Sequence, residues 1–137
     1  MNLRSAIAIL LTAAVFCLAS DTANGSGTFE DSAPFVCVPT AVAECVSEGE
    51  CRPGTAESEN LPEFFRIDLR EKTIGLKEKG RLSQIKRIDR SASEITLYGT
   101  DSDRSWVLMI QNKTGKMSGS VTGNQESFVI FGICPLP

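Results

Sequence analysis

The chain has 137 residues, with 14 basic and 17 acidic side chains for a net charge of −3, and it contains no histidine. The missing imidazole excludes Ser-His-Asp and Cys-His nucleophilic machinery and the HExxH metalloproteases, which leaves carboxylates or a lysine as routes to catalysis. The length suits one domain with a single modest core.

Residues 1–19 read as a signal peptide. Arg4 supplies the early positive charge, residues 6–18 an apolar run, and Cys17 and Ala19 the small positions before a cleavage site after Ala19. The run is too short to span a bilayer comfortably, and no later segment is long and apolar enough to do so. Residues 20–34 are polar, rich in Gly and Ser and without period, as expected of a flexible leader. The single domain is expected over residues 35–137.

Four cysteines remain in that domain: Cys37, Cys45, Cys51 and Cys134. In an exported chain an even number implies two disulfides with three possible pairings. The favoured pairs are Cys45–Cys51, closing "CVSEGEC", and Cys37–Cys134, joining the start of the domain to its end. The spacings hold no C-x-x-C pair, so no zinc site is expected and no metal or cofactor is assigned. Within the cysteine region "PTAVAECV" fits a short helix, a strand or a stapled loop. "RPGTAESENLP" has the composition of a loop.

From residue 61 onward the pattern changes to alternation. "FFRIDLR" sets Phe65, Ile67 and Leu69 on one face, and "EKTIGL" sets Ile74 and Leu76 inward before a turn at Lys79-Gly80. In "RLSQIKRIDR" the apolar residues fall three apart, which fits a bulged strand or a short helical piece. "EITLYG" and "SWVLMI" alternate again, with Trp106, Leu108 and Ile110 on one face and Tyr98 turned away from Ile95 and Leu97. "GKMSGSV" follows, and "SFVIFGIC" is apolar on both faces, as in a central or barrel-closing strand. About seven short strands with connections of three to six residues require antiparallel neighbours. The expected fold is all-β: an antiparallel meander curled into a small barrel or bent sheet and stapled by two disulfides.

Charge is unevenly spread. Residues 20–60 hold eight acidic side chains against Arg52, whereas residues 61–137 hold twelve basic and nine acidic ones. The basic residues are interrupted by acids and lack interleaved aromatics, so a solvated sheet face is expected rather than a nucleic-acid surface. Other motifs reduce to turns. Asn112-Lys113-Thr114 and Asn24-Gly25-Ser26 match the glycosylation acceptor pattern. Gly115-Lys116 lacks both the following Ser or Thr and the earlier glycine of a phosphate loop. Asp101 and Asp103 in "TDSDR" have no third acid for a calcium loop. Asp68, Glu94 and Glu126 would support two-carboxylate catalysis only if the fold brought them together.

The order F-x-C, E-C-x5-C, F-x-I-D-L, W-x-L-x-I, T-G-K-x-S and F-G-x-C over residues 35–134 resembles a group of small exported proteobacterial proteins without assigned function. In architecture alone the chain is similar to small periplasmic β-barrels that inhibit lysozymes or proteases. The resemblance implies no catalytic residue. The expectation is a periplasmic or secreted, non-enzymatic β-barrel that binds an envelope protein or small ligand, without a transmembrane anchor after cleavage, as a monomer. Trp106 and Tyr98 are the candidate ligand-pocket or surface residues. An inhibitor acting through residues 99–105 is the alternative, and a carboxylate-only hydrolase a third reading.

Overall fold

The computed structural model describes Phe29, Asp31, residues 33–76 and residues 80–136. The expected signal peptide, the Asn24 acceptor pattern and Lys79 lie outside the described residues. Among the described residues, nine strands form one antiparallel sheet: β1 (Phe35–Val46), β2 (Cys51–Gly54), β3 (Phe65–Asp68), β4 (Thr73–Leu76), β5 (Arg81–Arg90), β6 (Glu94–Asp101), β7 (Arg104–Gln111), β8 (Lys116–Thr122) and β9 (Glu126–Ile133). Each strand from β3 to β9 pairs with the next, and β1 closes the ring by pairing with both β3 and β9. The result is an eight-stranded barrel with β2 as an extra strand laid on β1.

The seven strands read from alternation are β3 to β9. The two additional strands come from the cysteine region, where prolines hide the strand pattern. Pro39 sits at a register shift in β1, so Val38 and Ala41 are both exposed although they are three apart. Pro53 lies in β2, which pairs with β1 alone. The ambiguous "RLSQIKRIDR" is strand β5 with a register shift between Ile85 and Arg87, which turns Ile85 inward three residues before Ile88. Residues 112–115 form the expected turn, with Gly115 in the left-handed region at φ 67°. A side chain there would also collide with the Cys134 carbonyl.

Inward residues of all eight barrel strands meet in one core that includes Val42, Ile67, Ile74, Ile85, Leu97, Leu108, Met117 and Ile130. Both expected disulfides are present, Cys37–Cys134 across 97 residues and Cys45–Cys51 across 6. Such bonds are typical of extracytoplasmic proteins. Among the described residues, no helix is long and apolar enough to cross a membrane.

One end of the barrel is plugged. Phe29, in the segment expected to be a leader, is only 1% exposed and packs on Phe35 with ring centroids 4.5 Å apart. Arg90 holds it there by donating to the Phe29 carbonyl at 3.0 Å and by pairing with Asp31. The packed core therefore begins before Phe35. Cys37–Cys134, Ile110 and Leu69 complete the floor.

Candidate functional site: the open mouth of the barrel

The opposite end is built from the last residues of β4, β6 and β8 and the first residues of β5, β7 and β9. It opens into a cavity of about 380 Å³. Leu108, Ile130 and Ile74 form its floor, while Trp106 and Phe65 contribute aromatic wall. Two inward positions beside it lack side chains, and a neighbouring side chain lies over each. Gly99 faces Trp106 across the β6–β7 pair, and a Cβ there would overlap the indole. Gly119 occupies the equivalent position on β8 beside Leu108.

Trp106 is half-buried, and its indole N–H donates to the Ser83 hydroxyl at 3.1 Å. That bond fixes the ring against the cavity instead of letting it swing out to solvent. The segment 55–64, between β2 and β3, straps the rim. Ser58 and Thr55 exchange reciprocal bonds between hydroxyl and amide, at 2.9 and 3.0 Å, and the Leu61 amide donates to the Ala56 carbonyl at 2.7 Å. The turn so formed points Leu61 onto the core and places Asn60, Leu61 and Pro62 in the cavity wall.

Charged groups are confined to the rim. Arg104 lines the cavity, and its guanidinium is oriented by an ion pair with Glu126 and by the Phe128 ring, 5.6 Å away. Asp101 stands opposite Arg104 in the β6–β7 register, and Glu44 faces Phe128 across β1–β9. The mouth thus has an apolar interior and a charged lip carrying both signs. No three His, Cys, Asp or Glu side chains among the described residues are grouped to hold a metal.

The structure separates the two aromatic candidates. Trp106 is a wall of the cavity. Tyr98 lies on the outer face of β6, where Arg87 covers its ring at 4.2 Å and Asp89 pairs with Arg87 at 2.9 Å. A hydrogen bond to the Tyr98 side chain, and then the charge of Asp89, raise the Arg87 pKa above its ordinary value, so this group stays cationic. The three carboxylates considered for catalysis do not share a cleft. Glu126 is at the mouth, whereas Asp68 and Glu94 are at the plugged end, where Asp68 accepts from the Glu71 amide at 2.9 Å.

Asn112 is 9% exposed, and its amide donates to the carbonyls of Ser91 and Ala92 at 3.2 and 3.4 Å. It ties the β7–β8 turn to the β5–β6 turn and is unsuited to carry a glycan. Sequence reasoning missed Arg104, Gly99 and the 55–64 strap as parts of the site. The alternation around Trp106 assigns Arg104 to the same face, which was the available signal. Comparison of the chain with protein-family models, curated proteins and solved structures finds no match.

Proposed function

We propose that this chain is an exported, non-enzymatic binding module that takes a small, apolar-bodied ligand into the mouth of its barrel, in the periplasm or outside the cell. The observation that supports the reading is the cavity of about 380 Å³ walled by Trp106. Its size and its apolar lining with a few rim polar groups match the general character of small-molecule sites. The ligand's body would lie on Leu108, Ile130 and the indole. A polar head would reach the Arg104, Asp101 and Asn60 lip. The inhibitor reading has less support, because residues 99–105 run within β6 and β7 and leave only a tight turn at Ser102-Asp103, not a projecting loop.

Trp106 is the sole tryptophan, so its emission reports on this wall alone. Titration with 8-anilinonaphthalene-1-sulfonate should quench it saturably at one site. Hexanoate, decanoate and decylamine should then compete, and the ranking of acid against amine reads the preferred head charge. Val121→Phe, which fills the cavity, should abolish the saturable signal while the circular dichroism is unchanged. The same titration in wild type and Val121→Phe would count against a ligand in the cavity.

A further inference from the structure

The outer surface of the barrel is divided into two unlike halves. On β3 to β6 the outward residues include Arg66, Asp68, Arg87, Asp89 and Glu94, an ordinary solvated face. On the neighbouring strands β7, β8, β9 and β1, Lys116 is the one charged side chain directed outward among the described residues. Cross-strand pairing sets Val38 beside Ile133 and Ala41 beside Phe131, with Phe131 in turn beside Ser118 and then Met109. These are large apolar groups left in water: Phe131 is 52% exposed, Ile133 44% and Val38 41%. A contiguous face of this kind, with a single charge, marks an interaction surface.

We infer that this face binds a second copy of the chain in a two-fold dimer. Three arguments select that occupant. Charge comes first. With one lysine on the face, a strongly charged protein would bury its own charges unpaired, and an anionic bilayer would gain only about 1 kcal/mol from a single base. The face itself, whose one charge is Lys116 at the start of β8, is a partner of the required kind. Next comes shape, because the small residues Ala41 and Ser118 flank Phe131 on either side, Ser118 also lies beside Met109, and Ala43 and Ser120 continue the two small rows past Val129. A two-fold axis can therefore seat the large groups of one copy on the small rows of the other, as an isologous interface requires. Last comes size. Four strands about 4.8 Å apart and about 25 Å long curve through half the barrel and project roughly 300 Å², so two copies enclose on the order of 600 Å², the size of a weak, concentration-dependent contact. The contact would be lateral and would leave the mouth open, so it does not depend on the ligand reading. It is the alternative to the monomer expected from the sequence.

Sedimentation velocity on the oxidised mature protein, from about 1 to 500 µM, tests the inference. The wild type should pass from monomer to dimer as concentration rises. Phe131→Lys should raise the dissociation constant at least about tenfold, and so should the milder Phe131→Ser, each with an unaltered far-ultraviolet spectrum. Gln84→Lys, an exposed position on β5 away from that face, should leave it unchanged. A wild type that stays monomeric throughout overturns the inference, as does a dimer indifferent to both Phe131 variants. Co-sedimentation with phosphatidylglycerol vesicles gives the competing outcome. A monomer that binds them through Phe131 would assign the face to lipid.

Discussion

Gly99 and Trp106 form one structural unit: the absence of a side chain at the first is what gives the second its place. With the indole hydrogen-bonded to Ser83 and pressed on the bare β6 backbone, Gly99→Ala must displace the ring or spread the strands. Overpacking of this kind costs about 1–3 kcal/mol. Urea unfolding should show that loss, and the native emission of Trp106 should move to longer wavelength as the ring meets water. Unchanged emission would mean that the wall tolerates a methyl group and that the glycine serves another purpose. Asn112 makes a comparable case. Asn112→Ala removes the donor to the carbonyls of Ser91 and Ala92, which belong to exposed residues that water can reach, at a cost of about 0.5–1.5 kcal/mol measured by the same unfolding. The inward placement of Trp106 is legible in "SWVLMI" because a two-residue period needs only local sequence. The bond from Asn112 to residues 91–92 is not legible, since nothing near Asn112 records which turn will lie beside it.

At the scale of elements, alternation identifies a strand until a bulge changes its phase. β3, β4, β6, β7, β8 and β9 keep one phase and can be read directly. β5 loses it at the shift between Ile85 and Arg87, and β1 loses it at Pro39. The disulfides restore what the pattern obscures, because each joins β1 to a partner that the period could not reveal. They should differ in energetic weight. Cys45–Cys51 closes a short loop and Cys37–Cys134 nearly the whole domain, so the chain-entropy model gives about 2 kcal/mol for the first and about 4–5 kcal/mol for the second. Paired Cys→Ala variants compared by denaturant midpoint should fall in that order. Equal losses would show that native packing, rather than loop closure, sets their contribution. "SFVIFGIC" carries a further lesson. Its apolar outer face is not required for closing the barrel, since β9 already satisfies its core side through Phe128 and Ile130. The exposed Phe131 and Ile133 were therefore the one hint of a lateral surface that the sequence contained.

In the whole molecule the barrel wall is not uniform. Strands β6 to β9 each pair along most of their length, and β9 lies against β1 from Val38 to Val46. The ring closes on its other side only where Phe35–Cys37 meets Phe65–Ile67, next to the short strands β3 and β4. Above that seam the wall is supplied by the 55–64 strap, which also lines the cavity. Regions with few paired backbone groups open at lower free energy than the global transition. Native-state hydrogen exchange should therefore find the amides of Leu97, Leu108 and Ile130 opening only with global unfolding. Those of Ile67 and Ile74 should exchange through a smaller, local opening. Cys37–Cys134 pins β1 at the edge of this seam, so reducing it should lower protection of β3 and β4 before it affects β7 and β8. A ligand held between Trp106 and the strap would act in the opposite sense, slowing exchange in residues 55–67 by mass action on the closed form. If β3 and β4 prove as protected as β7 and β8 in the free, oxidised protein, the seam is no weak point and entry to the cavity must be through the mouth alone.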